Sequence, residues 1–199
     1  MKSNVCKIEN GTKDLDAILA ESERVASYNG FTHKQTLQLR LLCEEVDGML
    51  PSIIDDFDGE LWIEYKDGVC RINVSVEIKE ITAAKKEEMI NVAKNKKNAA
   101  AKGIVGKIRS AIEDVFLDKE LVEAYAISAN AIHFSTGYGT DITYPYYWSL
   151  EQYREVIGKD KPEEEWDELE KSVIASLADD VIVGVKGRHA RIEIVKKFA

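Results

Sequence analysis

The sequence predicts an α+β fold, a two-layer sandwich in which helices cover one face of a mixed, largely antiparallel sheet. Two segments, 61–78 and 181–198, have the alternating apolar residues and central glycine of β-hairpins. Other segments place apolar residues three and four positions apart, which is typical of helices that pack on a core. Helices and hairpins follow one another along the chain in blocks, and this is the order of an α+β protein.

The composition is that of one globular domain. The 199 residues are 45% hydrophobic and 32% charged, which are ordinary values for such a domain. No linker rich in Ser, Gly or Pro divides the chain, so residues 1–199 are expected to form a single domain. The formal net charge of -9 argues against a surface that coats nucleic acid, although it is compatible with one local phosphate site.

The sequence favours a cytoplasmic protein with reduced thiols. Its first residues lack the apolar core of a signal peptide, and no apolar run approaches the length of about 18 residues needed to span a bilayer. The three cysteines, Cys6, Cys43 and Cys70, are far apart and form no CxxC pair. Neither a disulfide framework nor a zinc site is predicted, and the thiols are expected to be buried.

Two helices are predicted before the first hairpin. The first covers residues 14–28 and ends at Gly30, since glycine adopts the left-handed conformation of a helix C-terminus. The second begins after Thr32, whose hydroxyl can cap it, and is expected to end at the break at Pro51.

The second helix carries Glu44, Glu45 and Asp47 in its last turns. Carboxylates at this end oppose the helix dipole. Local conflicts of this kind occur at functional sites, but a solvated acidic face explains them equally well.

The first hairpin is predicted to turn at Asp67 and Gly68, a pair that favours positive backbone angles. In its second strand the apolar residues Ile72, Val74, Val76 and Ile78 alternate with polar ones, so one face of the sheet should be the core. A highly charged helix over 83–94, capped by Thr82, is expected to follow.

Residues 95–116, NKKNAAAKGIVGKIRSAIEDVF, join a basic loop to a helix. No acidic residue occurs between Met89 and Ile112, a span that contains Lys94, Lys96, Lys97, Lys102, Lys107 and Arg109. Unpaired N–H groups at the start of a helix attract anions, and Gly103 and Gly106 let a ligand approach the backbone closely. A phosphate site is therefore predicted there. The alternative is a solvated loop whose glycines serve helix packing.

Beyond the glycine pair the pattern is weaker. Segment 121–134 is expected to be a helix, although AISANAIHF also fits a strand. The aromatic segment 134–148 is interpreted as a lid, a partner surface or a cover for a sheet edge. Ser149 is predicted to cap a short helix with Gln152 as its capping-box partner, and Pro162 to begin the last helix.

Three strings, in this order, resemble motifs of the GHKL or Bergerat-fold ATPases, which include histidine kinase catalytic domains and anti-sigma-factor serine kinases. Residues 39–50, LRLLCEEVDGML, look like the family's helix with a Glu and, four residues later, a metal-holding Asn. Residues 72–80, INVSVEIKE, lie where the family reads the adenine amino group. Residues 102–116, KGIVGKIRSAIEDVF, are similar to its glycine-rich phosphate loop and following helix. The resemblance covers about 13–117 and 163–198 and leaves 118–162 as an insertion.

The resemblance implies ATP as the ligand. In it, Glu44 takes the place of the catalytic Glu, and Glu77 or Glu80 is the nearest candidate to read adenine. The phosphate groups would contact a loop and helix start formed by Asn98, Lys102, Gly103, Gly106 and Lys107. Gly48 occupies the position of the magnesium-holding Asn, so that ligand is missing. An ATP-binding regulatory protein with weak or lost kinase activity is expected.

Two other classes of function compete with this one. The first is a non-catalytic interaction module on the same scaffold, with Tyr144, Tyr146, Tyr147 and Trp148 as its contact surface. The second is a KH-like RNA binder, because Gly103-Ile104-Val105-Gly106 also fits a GxxG loop. RNA is the least favoured ligand, since Ile and Val stand between the glycines and the domain is acidic.

Overall fold

A computed structural model describes residues 1–9, 15–54, 56–80, 103–117, 132–135, 141–144, 146–157 and 172–198. In chain order its elements are β1 (Cys6–Glu9), α1 (Leu15–Tyr28), α2 (His33–Ile53), β2 (Asp56–Lys66), β3 (Val69–Glu80), α3 (Gly103–Leu117), β4 (Ile132–Ser135), β5 (Asp141–Tyr144), β6 (Tyr146–Ser149), α4 (Leu150–Ile157), α5 (Val173–Leu177), β7 (Asp180–Lys186) and β8 (His189–Lys197). The helix expected over 83–94 and most of the helix expected from Pro162 lie outside the described residues.

Six strands form the main sheet in the order β1-β2-β3-β8-β7-β6, and every pairing in it is antiparallel. The predicted α+β class is confirmed, whereas the expected mixed sheet is antiparallel throughout the described strands. The two hairpins, β2–β3 and β7–β8, meet at the centre through β3 and β8. A separate sheet of two strands pairs β4 with β5.

Both hairpin turns form where glycine was expected to allow them. Asp67 and Gly68 have φ angles of 51° and 79°, and Gly187 in the second turn has a φ of 58°. In the first turn both central residues have positive angles, and in the second turn Gly187, the first central residue, does. Both patterns match the twist of the strands that a two-residue turn joins. The glycines therefore allowed the positions of both hairpin turns to be predicted from the sequence.

The helices pack on one face of the sheet. In β3 the alternating apolar residues from Ile72 to Ile78 are buried in one cluster with apolar residues of α1, α2 and α3. Side chains of the intervening residues lie on the opposite, outer face. The described part of the chain has no helix long and apolar enough to cross a membrane.

Helix α2 begins as predicted but ends later. The Thr32 side chain accepts a hydrogen bond from the N–H of Gln35, and the Gln35 side chain reciprocates, which is a complete capping box. The helix continues through Pro51 to Ile53, so the predicted end at Pro51 was wrong. Leu50 and Ile53 are buried in the core, and this burial holds the last turn in helical form despite the lost hydrogen bond.

Within segment 118–162, strand β6 belongs to the main sheet, whereas β4 and β5 form the separate two-stranded sheet. Ile132–Ser135 is a strand, so the helix expected to reach residue 134 was wrong at its end. Strand β6 is the edge of the six-stranded sheet. Ser149 then caps α4, as predicted, by accepting a hydrogen bond of 3.3 Å from the Gln152 N–H. The Gln152 side chain donates a hydrogen bond to the Tyr147 hydroxyl, so its predicted role as capping-box partner stays a prediction.

Sequence patterns missed β1, in which Cys6 and Ile8 alternate with exposed residues. The strand adds to the edge of β2. Cys6, Cys43 and Cys70 are buried thiols that belong to no disulfide, as expected. Burial raises the pKa of the Cys70 thiol to about 12 and that of the Cys43 thiol well above its ordinary value.

Candidate functional site

The glycine pair lies inside the first turn of α3 and does not form a separate loop before it. Gly103, the first residue of the helix, has a φ of 75°. Only glycine adopts this conformation without strain. Ile104 and Ile108 are buried in the core, and the helix contacts β7. The first turn contains no acidic residue, so no carboxylate there would repel an anion.

Lys107 lies one turn into the same helix, beside an aromatic pair. Its Nζ is 4.8 Å from the centroid of the Tyr153 ring on α4. The Tyr153 and Trp148 rings are 5.9 Å apart between centroids. The Lys107 ammonium group is therefore oriented by the Tyr153 ring, which Trp148 contacts in turn. Both aromatic residues belong to segment 118–162.

Glu44 is on α2, which contacts α3 on the same face of the sheet. Its Oε1 is 3.1 Å from the Nε of Arg40, and the Nη1 of Arg40 is 2.7 Å from the Oε1 of Glu23 on α1. The carboxylate thus belongs to a charged row between α1 and α2. A general base needs access to the proton that it removes, and in this arrangement Arg40 occupies one of the Glu44 oxygens.

Gly48 follows Glu44 by one helical turn and is exposed. A Cβ atom added at Gly48 would meet no other atom within 4 Å. The position therefore lacks a metal-binding side chain but has room for one. Among the described residues, no group of three or more His, Cys, Asp or Glu is placed to hold a metal ion.

Glu77 lies on the other side of the sheet from Glu44 and Lys107. Its neighbours Val76 and Ile78 are buried in the core, so alternation places Glu77 on the outer face. There it helps to line a surface cavity of about 450 Å³ with residues of four strands, among them Lys7, Glu60 and His189. The structure therefore does not bring the three predicted side chains into one cavity.

A buried polar cluster on the outer face was not predicted. The Nη2 of Arg191 donates a hydrogen bond of 3.0 Å to Oδ1 of Asn73, and its Cζ is 4.0 Å from the centroid of the Trp62 ring. Arg71 and Glu193 form an ion pair of 3.2 Å nearby. Burial raises the pKa of Glu193, although both arginines oppose this shift.

Tyr144 lies near this cluster. It ends β5, is buried, and interacts electrostatically with Arg191. In the sequence Arg191 occupies an outward position of a strand, where a solvated charge is the ordinary expectation. No local pattern could show that Arg191 would be buried and near Tyr144, from a distant segment.

The described part of the aromatic segment is integrated into the fold. Tyr146–Ser149 forms an edge strand, Trp148 packs partly buried against the core, and the Tyr147 hydroxyl accepts a hydrogen bond from Gln152. Tyr144 is also buried. Tyr144, Tyr147 and Trp148 are therefore less available to a partner than the interaction hypothesis requires.

Two predicted phosphate ligands, Asn98 and Lys102, lie outside the described residues. Of the predicted set, the structure places Gly103, Gly106 and Lys107 together on α3. Comparisons of the chain with models of known protein families, with curated proteins and with solved structures gave no match.

Proposed function

We propose that this chain binds a nucleotide, in the first place ATP, with the phosphate groups at the start of α3. The scaffold would be a relative of the Bergerat ATPase fold, and the protein a regulator with weak or lost kinase activity. The observation that carries the proposal is the first turn of α3, where Gly103 has a φ of 75° and no acidic residue is present.

The physical case rests on the backbone of this turn. The first N–H groups of a helix have no partner within the helix, and its dipole adds about half a positive charge. An anion at such an end is stabilised by about 0.3–1 kcal/mol, and by more where the site is partly buried. The absent Cβ of Gly103 lets phosphate oxygens approach the N–H groups directly.

Lys107 would add a point charge to this site. Its contact with the half-exposed Tyr153 ring is worth about 0.5–1 kcal/mol. A hydrogen bond to a charged phosphate oxygen is worth about 1.5–3 kcal/mol. The phosphate contact is thus the stronger one, so Lys107 can leave the ring when a nucleotide binds.

Weak or lost turnover agrees with the surroundings of Glu44. Phosphoryl transfer needs a residue that orients the attacking group and cations that neutralise the developing charge. Arg40 pairs with Glu44, and Gly48 supplies no magnesium ligand. Glu77 is across the sheet, so Glu80, the last residue of β3, is the remaining candidate to read adenine.

Thermal unfolding with ATP, ADP or GTP, each with and without magnesium, tests this proposal. A ligand that binds only the folded state stabilises it by about 2.7 kcal/mol at a concentration of 100 times its dissociation constant. We expect ATP and ADP to raise the melting temperature and magnesium to add little. No shift at millimolar nucleotide would refute nucleotide binding.

A pair of variants locates the site. Lys102→Ala combined with Lys107→Ala should weaken ATP binding measured by calorimetry. The matched control, Lys7→Ala combined with Lys66→Ala, removes two exposed lysines on β1 and β2 and should leave binding unchanged. Equal effects of the two double variants would show that the site is elsewhere.

A second candidate function is a non-catalytic interaction module. The observation that favours it is the exposure of the leucines on α2, not the aromatic segment that the sequence indicated. RNA binding through the glycine pair stays a prediction. Binding to single-stranded RNA that weakens with salt and is lost in the Lys102→Ala, Lys107→Ala variant would favour RNA over a nucleotide.

A further inference from the structure

Exposed apolar side chains are concentrated on the first two helices. Among the described residues, the exposed large hydrophobic side chains are Tyr28 on α1 and Leu37 and Leu41 on α2, with 77%, 45% and 43% of their surface accessible. Single exposed leucines are ordinary. Leu37 and Leu41, however, are separated by one helical turn and therefore lie side by side.

These leucines are part of an outward row on α2, formed by Lys34, Leu37, Leu41, Glu45 and Gly48, all of which are exposed. Along this row a cation comes first, the apolar pair lies in the middle, and a carboxylate follows. In the part of the chain that the structure describes, neither Lys34 nor Glu45 forms an ion pair. When two copies of this row run antiparallel, the cation of each faces the carboxylate of the other, so the row is complementary in charge to a second copy of itself.

We propose that the outward row is a dimer interface, in which α2 pairs antiparallel with α2 of a second copy about a two-fold axis. Leu37 of each copy would contact Leu41 of the other, which places the axis beside residue 39. With a rise of about 1.5 Å per residue, Lys34 lies about 7.5 Å from the axis on one side and Glu45 about 9 Å on the other. Each Lys34 therefore comes within about 1.5 Å, along the helix, of a Glu45 from the other copy.

The same pairing would compensate the charge of Glu45. Glu44 is already paired with Arg40, whereas Glu45 forms no ion pair with the described residues. In an antiparallel pair, Lys34 of the second copy lies beside Glu45. A two-fold interface brings this compensation to both copies at once, because the same surface is used twice.

The dimer should be weak. Two leucines from each copy form a small apolar centre, and interfaces below about 1,200 Å² of total buried surface are typical of transient association. Sedimentation velocity and light scattering from about 2 to 500 µM therefore cover the expected transition. We expect the average mass to rise from that of one chain toward that of two.

Three variants test the pairing, and exposure of all the altered side chains keeps the fold intact. Leu37→Gln with Leu41→Gln should raise the dissociation constant about tenfold or more. Lys34→Glu and Glu45→Lys should each weaken the dimer, because each reversal places two like-charged pairs at the interface. The double swap, Lys34→Glu with Glu45→Lys, should restore association. Lys186→Glu, an exposed charge reversal away from α2, is the matched control and should have no effect.

The results that would overturn the interface are distinct. If the chain stays monomeric up to 500 µM, the outward row is not a dimer interface. A dimer that survives the leucine variant uses another surface. If the single reversals weaken the dimer but the swap does not restore it, then Lys34 and Glu45 do not face each other and the antiparallel arrangement is wrong. Unchanged melting temperatures at about 2 µM, well below the expected transition, would verify that each variant is folded.

Discussion

Gly48 is the position at which one substitution tests both the helix and the proposed site. It is exposed, lies inside α2 five residues before the helix ends at Ile53, and has no atom within 4 Å of an added Cβ. Glycine in a helix interior is about 1 kcal/mol less favourable than alanine. Gly48→Ala should therefore stabilise the fold by about 1 kcal/mol, which for a chain of this size is about 2–4 °C in melting temperature.

Gly48→Asn is the functional counterpart of this variant. Asparagine is a weaker helix former than alanine, so without ligand the free energy of unfolding should increase by only about 0.3 kcal/mol relative to the parent. With ATP and magnesium, the amide oxygen would supply the ligand that the resemblance places at this position. The melting temperature of the Asn variant should then show a magnesium-dependent increase that Gly48→Ala lacks.

Scanning calorimetry at low micromolar concentration, where dimerisation is negligible, measures both effects. If Gly48→Ala did not stabilise the chain, then position 48 would not be an exposed helix position with room for a Cβ atom. Equal magnesium dependence of the two variants, in a protein that binds ATP, would show that Glu44 and Gly48 do not correspond to the metal-holding helix of the ATPases.

Three further predictions concern stability and reactivity. Gly59→Ala should destabilise the chain by about 1–3 kcal/mol, because the new Cβ would lie 2.6 Å from the backbone oxygen of Ser75; an unchanged urea midpoint would contradict this. Burial raises the pKa of Glu193 above its ordinary 4.5, so the folded state favours the protonated form and loses stability as the pH rises through the raised pKa. The free energy of unfolding of Glu193→Gln, relative to that of the parent, should thus increase from about pH 4 to 7. A difference that stays constant over this range would show that the pKa of Glu193 is not raised. Cys43 and Cys70, with raised pKa values, should resist thiol reagents at about pH 8 until the chain unfolds, and rapid native labelling of either would show that it is accessible.

The hairpins and helix caps could be predicted because their causes are local. Asp67 and Gly68 fix a tight turn through their own backbone preferences, and Thr32 with Gln35 closes a capping box within four residues. The end of α2 could not be predicted in this way. Pro51 breaks helices by its local chemistry, but burial of Leu50 and Ile53 against distant strands outweighed that preference.

The site was predicted in part for the same reason. Gly103, Gly106 and Lys107 are neighbours in sequence, so one helix start brings them together. The position of Glu77 on the outer face follows from strand alternation, which the sequence already contained. The aromatic partner of Lys107 comes from α4, and only the packing of both helices on β6 and β7 brings Tyr153 to it.

An NMR titration of the labelled chain with ATP reports residue by residue whether phosphate binds at the start of α3. Phosphate bound at the start of α3 would change the amide shifts of residues 103–106 first, because those N–H groups would donate to it. We expect saturable changes there and none around Glu77 or Lys7 on the outer face. Saturable changes confined to the outer face, or no changes at millimolar ATP, would contradict it.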